Sequence, residues 1–554
     1  MSSLLYRKPR LLLTALTLIC LAPFCRKAFH IDDPLFLWAA QNITHHPLDP
    51  YNFPVVWYTE SAPMSEVTEN PPAASYYMAA AGKLGGWSEP TLHFAFLLPA
   101  LVAVLGTYYL AQRFTRYPSF AAIATLLTPG FLVSSTTVMC DTTMLALWIL
   151  AAALWLEGMD RESPAMVASA ALLIAVCALT KYFGIALIPL LLLYSILRRG
   201  RAEKRMLFLL LPVLTLTAYQ FWTRQHYGTG LLAEAAAYAL DDETTRWARI
   251  LNAPFGLAFV GGCALTALTF IPVLWSRSKI WIGAILSAAF ALAFAAGWIP
   301  SPTGGAAPGF GPLSLQLGIF VAGGISLLGI AFADWRERKD ADSAFLGSWV
   351  VGTFVFATFF NWTINARSVL PLIPPAGILL ARRLDAAGVF GGGWRRAKVV
   401  APLALSGIVS IWVAFADARF AGSARDAAEY VRDHIGSDPV TVSFEGHWGF
   451  QYYMQLLGFR PVDYDSYEIR SGNIIVIPQT ATNAPRIPRE LVESQSTFAL
   501  KVNVGVTTTS RQVGGGFYAG VLGPLPYVFG SVPDERYLVV RLRTSGTVPR
   551  LIAP

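Results

Sequence analysis

The chain has 554 residues, of which 55% are hydrophobic and only 14% are charged, and its mean hydropathy is +0.49. Soluble domains carry about 25% charged residues, so this composition excludes a soluble globular protein. The formal net charge of +8 is spread over short clusters between apolar segments. That distribution is typical of membrane topology and argues against a nucleic-acid-binding protein.

Apolar runs of about 17–25 residues recur along most of the chain, and each is close to the length that crosses a bilayer. We predict about thirteen transmembrane helices. Their expected positions are 11–25, 92–112, 119–139, 142–158, 164–179, 183–197, 206–222, 254–275, 280–299, 313–332, 343–361, 368–381 and 399–416. The first run is predicted to be a retained span rather than a cleaved signal peptide, because its outer flank lacks a small-x-small cleavage site.

The basic clusters between these runs predict the orientation of the chain. Clusters at 7–10, 198–205, 336–339 and 382–398 all fall on one side if the N-terminus is cytoplasmic. The positive-inside rule therefore predicts a cytoplasmic N-terminus, with the long loop 26–91 and the C-terminal region on the outer side. The five cysteines lie in or beside apolar runs and show no disulfide or metal spacing.

The composition becomes polar and mixed after residue 416. Residues 424–435 show a helical stripe, and 440–444, 473–477 and 537–542 are typical of strands. We therefore predict two domains: a transmembrane module, 1–416, and a small α/β extracytoplasmic domain, 417–554.

Two adjacent aspartates, Asp32 and Asp33, follow the first apolar run. A carboxylate is costly near hydrocarbon, so an acidic pair kept there is a candidate functional site. Pro34 is expected to open a short interfacial helix at 35–43 that presents the pair to a membrane-embedded substrate. The structural alternative is that Asp33 only caps this helix.

Five motifs, in order, carry a resemblance to a known family. They are Asp32-Asp33-Pro34-Leu35-Phe36, the run 70–77 (Asn-Pro-Pro-Ala-Ala-Ser-Tyr-Tyr), Thr128-Pro-Gly with Asp141, Thr180-Lys181, and 365–374 with Arg367. Together they resemble the GT-C membrane glycosyltransferases. The most similar branches are the protein O-mannosyltransferases and the lipid A aminoarabinose transferases. The resemblance covers about 1–416 and implies the GT-C fold.

The resemblance implies an enzyme that moves a sugar from a polyprenyl-phosphate donor to a protein, lipid or glycan acceptor. The reaction would occur on the outer face of a bacterial inner membrane. Asp32 would be the general base, with Asp33 and Asp141 as further catalytic carboxylates. Lys181 and Arg367 would hold the lipid phosphate, and Glu69, Tyr76 and Tyr77 would contact substrate. The family implies no certain cofactor. A divalent cation is left open, because two aspartates do not complete an oxygen shell.

Alternatives remain at each of these points. Asp141 would otherwise cap the span it precedes, Lys181 would snorkel and Arg367 would anchor the interface. The cluster 445–453, rich in aromatic residues, would line a sugar or acceptor site or else form core. A transporter or a scaffold are the other function classes. A transporter usually places ionisable groups near the midplane in repeated halves, and neither feature is found in the sequence.

Overall fold

The computed structural model describes residues 8–68, 70–240, 250–304, 307–390, 394–438, 441–466, 468–482, 487–543 and 546–547. Within these ranges, eight helices are long and apolar enough to cross a membrane: Glu89–Phe114, Cys140–Asp160, Tyr182–Arg199, Lys204–Tyr227, Arg277–Ala295, Pro312–Arg338, Ala341–Phe360 and Ala397–Ile435. A pair bent by 65°, Pro118–Leu126 with Pro129–Ser135, makes a ninth if it is counted as one span. The chain is an integral membrane protein.

Every predicted span coincides with helical structure, but the number thirteen is not confirmed. Three of the segments are shorter apolar helices, Pro9–Phe24, Pro164–Thr180 and Ala253–Cys263. The segment 254–275 is broken and continues as Thr266–Thr269 and Ile271–Leu274, with Pro272 opening the last piece. The segment 368–381 begins as short turns, Ala366–Val369 and Leu370–Leu372, before helix Ile373–Ala386. Apolar composition alone does not reveal such breaks.

Close packing between two apolar helices depends on glycine. Gly261, on helix Ala253–Cys263, lies against helix Pro312–Arg338 so closely that a Cβ would be 1.9 Å from the carbonyl oxygen of Phe320. Gly324 on the facing helix is equally confined, with a Cβ placed 2.2 Å from the carbonyl oxygen of Leu257. Small residues of this kind let membrane helices approach backbone to backbone.

We expect Gly261→Ala to destabilise the protein by about 1–3 kcal/mol, because its methyl group meets backbone that must move. Gly283→Ala is the matched control, since a Cβ there has nothing within 4 Å and alanine favours a helix. Thermal unfolding of the detergent-purified protein measures both. Equal melting temperatures for the two variants would contradict this packing.

The first long loop carries three helices, Asp33–His45, Met64–Val67 and Ala73–Gly85, and a small hairpin of Pro54–Val56 with Ser61–Pro63. Helix Asp33–His45 begins beside Pro34 as predicted. It is mostly buried against other parts of the protein rather than lying open at an interface. A further helix, Leu231–Leu240, follows the span Lys204–Tyr227.

The C-terminal region contains the predicted strands. A five-stranded sheet has the order Arg460–Pro461, Val442–Phe444, Ile474–Pro478, Glu535–Leu542 and Val492–Leu500. The first three strands are parallel and the last two pair antiparallel to their neighbours. Short strand pairs, Val506–Thr507 with Val528–Phe529, Thr509–Ser510 with Gly515–Gly516, and Glu468–Ile469 with Gly546–Thr547, lie outside this sheet. Helix Trp448–Leu456 completes the α/β arrangement.

The predicted helix at 424–435 is not separate from the membrane module. It is the continuation of the last long helix, Trp394–Tyr430, with a π-turn at Val431–Ile435. Position 416/417 therefore falls inside a continuous helix. The division into two domains at that point stays a prediction.

The C-terminal region folds back onto the membrane module through a buried ion pair. Lys27 Nζ lies 2.5 Å from the carboxylate of Asp417, and both side chains are fully buried. The same carboxylate accepts hydrogen bonds from Thr508 Oγ1 at 2.6 Å and Tyr518 OH at 2.8 Å. The first loop, the last long helix and the C-terminal region thus meet at one carboxylate.

Candidate active site

A cavity of about 400 Å³ lies between the first loop, the membrane helices and the C-terminal region. We call it the Asp32 cavity. Its walls carry both charge and aromatic rings, including Asp32, Lys181, Arg367, His447, Trp448 and Arg511. A concave, partly apolar site with a few converging polar groups is the usual form of a small-molecule site.

Four side chains predicted from the sequence contact one another here, and we call them the charge cluster. Three of them, Asp32, Lys181 and Arg367, line the cavity, and Asp141 is buried beside it. Arg367 Nη1 donates to Asp32 Oδ2 at 2.8 Å, and Arg367 Nε lies 4.0 Å from Asp141 Oδ2. Lys181 Nζ donates to Asp141 Oδ1 at 2.6 Å. The cluster therefore alternates in sign, Asp32–Arg367–Asp141–Lys181, across positions up to 335 residues apart.

The short helix Ala366–Val369 brings Arg367 to the cluster. Asn365 caps it, accepting a hydrogen bond from the Ser368 N–H at 2.8 Å. The C-terminal region braces both flanks, because Ala366 N donates to the carbonyl of Phe517 at 2.8 Å and Gly520 N to that of Ile364 at 2.7 Å. Backbone hydrogen bonds from the C-terminal region therefore hold the turn that carries Arg367 in place.

The structural alternatives for the cations and for Asp141 do not describe this geometry. Helix Cys140–Asp160 has Met139 at its N-cap and no side-chain cap, while the buried Asp141 carboxylate binds Lys181. Lys181 and Arg367 are 19% and 18% exposed and point into ion pairs rather than toward a bilayer surface.

Asp33 is buried beside the cavity and is not part of its wall. Its two carboxylate oxygens accept hydrogen bonds from the backbone N–H groups of His30 and Val138, each at 2.9 Å. Burial raises the pKa of Asp33 to about 7, and the positive charge of Lys27 partly offsets that rise. Asp33 therefore ties the turn that carries Asp32 to the segment that precedes Asp141. It does not cap its own helix.

The cavity lining includes neither of the predicted substrate-contact residues Tyr76 and Tyr77. Glu69 lies outside the described residues. The Tyr76 hydroxyl donates to the carbonyl of Pro47, and the Tyr77 hydroxyl to that of Ala95, each at 2.6 Å. Both hydroxyls therefore connect helix Ala73–Gly85 to neighbouring segments of the chain, and the role of the two tyrosines toward substrate stays a prediction.

The aromatic cluster 445–453 is divided between two roles. His447 and Trp448 line the Asp32 cavity, and Trp448 has a positive φ of 63°. Gln451 Nε2 donates to the carbonyl of Val56 at 2.6 Å, and Tyr453 OH accepts from Phe29 N at 2.8 Å. The first half of the cluster forms a cavity wall, and the second half attaches the C-terminal region to the first loop.

Arg511 and Tyr518 also line the cavity, although no sequence pattern pointed to them. Neither belongs to a motif, and both lie in the C-terminal region far from the spans. The sequence shows only that Arg511 is basic, that Tyr518 is aromatic, and that the segment 514–520 is rich in glycine. That signal does not say where the segment packs.

Glu445 lies deep in the C-terminal region, and burial raises its pKa to about 7 despite hydrogen bonds from Tyr464 and the Gly446 N–H. The folded state therefore keeps this proton to a higher pH than the unfolded chain. The stability that the protonated Glu445 carboxyl contributes is fully present below the usual glutamate pKa, and it is lost as the pH rises through about 7.

We expect Glu445→Gln to gain stability relative to the wild type as the pH is raised from 5 to 8, because glutamine has no proton to lose. The readout is the difference in melting temperature between variant and wild type at each pH. Glu493→Gln, at an exposed site on the same sheet, controls for the loss of a carboxylate. A Glu445→Gln difference that is flat, or that falls with pH, would contradict the argument.

The charge cluster does not fit a divalent cation. Within the described ranges, no group of three or more His, Cys, Asp or Glu side chains is placed to hold a metal ion. Asp32 and Asp141, the two carboxylates of the cluster, already face Arg367 and Lys181. An oxygen shell for a hard cation needs several more free ligands.

Comparison with known proteins gives a family match and a fold. Residues 69–222 match the family model of dolichyl-phosphate-mannose-protein mannosyltransferase. No curated protein matches. The oligosaccharyltransferase of Archaeoglobus fulgidus, solved with a tethered acceptor peptide, is 13% identical with a TM-score of 0.50. That alignment covers 83% of this chain and 64% of the other.

Two further solved structures are similar at lower scores. ArnT from Cupriavidus metallidurans, bound to undecaprenyl phosphate, is 14% identical with a TM-score of 0.49, covering 85% of this chain and 93% of that one. The mycobacterial arabinofuranosyltransferase AftD is 12% identical with a TM-score of 0.42, covering 96% and 40%. The chain is a polytopic membrane protein with the GT-C fold of membrane glycosyltransferases.

Proposed function

We propose that this protein transfers a sugar from a polyprenyl-phosphate donor to an acceptor that reaches the Asp32 cavity. One observation carries the proposal: the Asp32 carboxylate and two cations, Lys181 and Arg367, line one cavity beside the membrane helices, and a second, buried carboxylate contacts both cations. Sugar transfer from a lipid phosphate needs a base for the acceptor and positive charge for the leaving group. The charge cluster holds both.

In the proposed step, Asp32 removes the proton from the acceptor hydroxyl or amine. The acceptor oxygen or nitrogen forms a bond to the anomeric carbon of the sugar, and the bond from that carbon to the phosphate oxygen breaks. The electron pair leaves with the lipid phosphate, which gains negative charge. Arg367 and Lys181 stabilise that charge, because cationic donors held in place are most effective where charge develops.

Asp141 and Asp33 act on the other members in this mechanism. Asp141 lies between Lys181 and Arg367 and fixes the spacing of the two cations. Asp33 holds the turn of Asp32 against the segment before Asp141. Both are positioning residues in our proposal, and no step uses a metal ion.

The donor and acceptor classes rest on the matched relatives. The matched family is described by a dolichyl-phosphate-mannose donor and a protein acceptor. The archaeal oligosaccharyltransferase of similar fold holds an acceptor peptide. By analogy we assign a polyprenyl-phosphate sugar and favour a protein acceptor over a lipid or glycan. The distribution of basic residues supports a cytoplasmic N-terminus, an extracytoplasmic Asp32 cavity and an outer C-terminal domain, in a bacterial inner membrane.

The test is donor turnover by the purified protein in lipid nanodiscs. Polyprenyl-phosphate donors carrying radiolabelled mannose, aminoarabinose or arabinofuranose are supplied with and without acceptor peptide, and released or transferred sugar is counted. We expect turnover of at least one donor above a heat-inactivated control. If no donor is consumed or bound, the proposed function is wrong.

A lysine variant tests the role of the cations in the same assay. We expect Lys181→Met to raise the KM for the donor about tenfold or more, because a charge-assisted contact to phosphate is lost. Lys83→Met, at an exposed position on helix Ala73–Gly85 of the first long loop, is the matched control and should leave the KM unchanged. An unchanged KM in Lys181→Met would remove Lys181 from donor binding.

A further inference from the structure

A second polar cleft, of about 610 Å³, lies at the opposite end of the membrane helices. Asp141 of the charge cluster lies in the first turn of helix Cys140–Asp160. The last residue of that helix, Asp160, contacts Arg113 on the wall of this cleft. Twenty residues of helix separate the two ends by about 30 Å. The cleft is therefore distinct from the Asp32 cavity, and nothing in the proposed function uses it.

Arginine dominates the walls of this cleft, which we call the arginine cleft. Asp385 is the one acidic residue among the described lining residues. Four arginines line the cleft: Arg113, Arg116, Arg338 and Arg382. Three helix ends supply them: the end of Glu89–Phe114 with the residues that follow, and the ends of Pro312–Arg338 and Ile373–Ala386.

Among the described residues, the arginines of the cleft outnumber the carboxylates that form ion pairs with them. Asp334 Oδ1 lies 3.0 Å from Arg382 Nε and 3.2 Å from Arg338 Nε, so two guanidinium groups share one carboxylate. Arg113 is matched by Asp160. Arg116 has no ion pair within the part of the chain that the structure describes, and Asp385 also has none there. Of the described residues that line the cleft, four are cationic and one is acidic, so its surface is positive.

Two further carboxylates, Asp340 and Asp342, act on Arg382 from outside the cleft wall. Asp340 accepts a hydrogen bond from the Ser343 N–H at 2.7 Å, and Asp342 accepts one from the hydroxyl of Tyr194 at 3.2 Å. Both lie at the start of the next helix, Ala341–Val355, and neither lines the cleft.

The positive-inside rule accounts for basic residues in exposed loops, but it does not account for Arg382. This residue is only 3% exposed, and its Nη1 atom has no hydrogen-bond partner among the described residues. A buried cation that is only partly compensated is costly unless a further anion approaches it. Basic pockets between membrane helices are typical binding sites for phosphate-bearing headgroups.

We propose that the arginine cleft binds phosphate, either that of an anionic phospholipid headgroup or that of a soluble phosphate compound. Guanidinium groups suit phosphate because their planar donors contact two of its oxygens at once. Arg116, Arg338 and Arg382 would contact the phosphate, while Arg113 stays bound to Asp160 and Tyr194. The site is independent of glycosyl transfer.

The test uses the full-length protein in nanodiscs of zwitterionic phosphatidylcholine. Phosphatidylglycerol or inorganic pyrophosphate is added, and binding is measured by native mass spectrometry and by the rise in melting temperature that ligand binding produces. We expect Arg116→Gln and Arg338→Gln to weaken binding about tenfold or more. Arg277→Gln, an exposed arginine that lies outside the cleft, should leave binding unchanged.

The two ligands distinguish the source of the phosphate. Binding of phosphatidylglycerol alone that is sensitive to Arg116→Gln supports a lipid headgroup, and equally sensitive binding of pyrophosphate alone supports a soluble compound. Sensitive binding of both supports the shared phosphate chemistry. The proposal is overturned if neither ligand binds, if Arg116→Gln binds like the wild type, or if Arg277→Gln loses as much binding. Donor turnover is not read, so the proposed function can fail separately.

Discussion

Asp32→Asn is expected to lower the rate of sugar transfer by about 10²–10⁴-fold, because the amide cannot accept the proton of the acceptor. The substitution keeps the size of the side chain, and the amide oxygen can still accept the hydrogen bond from Arg367 that the carboxylate accepts at 2.8 Å. We therefore expect the variant to fold and to bind donor. The measurement is kcat for transfer at saturating donor, together with the donor KM.

Glu60→Gln provides the matched control for that result. Glu60 is an exposed carboxylate in the same loop and does not line the Asp32 cavity. The Glu60→Gln variant should transfer sugar at the wild-type rate. That result would show that losing an acidic charge from this loop does not by itself lower the rate. Asp32→Asn with wild-type kcat would remove Asp32 from the chemistry, although the cations could still bind donor.

The second large effect is expected at the buried ion pair. Lys27→Met leaves the Asp417 carboxylate fully buried without its cation, with only hydroxyl donors from Thr508 and Tyr518. Removing one partner of a buried pair costs about 3–5 kcal/mol. We expect a correspondingly lower melting temperature and easier proteolysis of the C-terminal region, because Asp417 is where that region attaches.

A double variant separates lost charge from lost packing. Lys27→Met with Asp417→Asn removes both charges, so it should recover part of the stability that either single variant loses. Arg432→Met, in the exposed pair with Asp433, is the control and should leave the melting temperature close to that of the wild type. A Lys27→Met variant as stable as this control would show that the pair does not hold the C-terminal region.

These two sites differ in how far they could be predicted. Asp32, Asp141, Lys181 and Arg367 were all found from motifs whose order along the chain, and whose side of the membrane, are readable in one dimension. Their contact in one cluster is a result of the fold, and whether they act as proposed is for the Asp32 and Lys181 variants to decide. Lys27 and Asp417 were not singled out, because a basic residue after the first span and an acidic residue in the last helix have ordinary explanations.

The sequence by itself determined the membrane class, the helical positions, the strands of the C-terminal region and the charged residues worth examining. Hydropathy and residue periodicity act within about twenty residues, so they report these features directly. The pairing of Arg367 with Asp32, the wall that the C-terminal region adds and the burial of Lys27 against Asp417 were decided only by the tertiary structure. Each joins positions hundreds of residues apart, and the energy of a contact depends on the distance, burial and partner that folding creates.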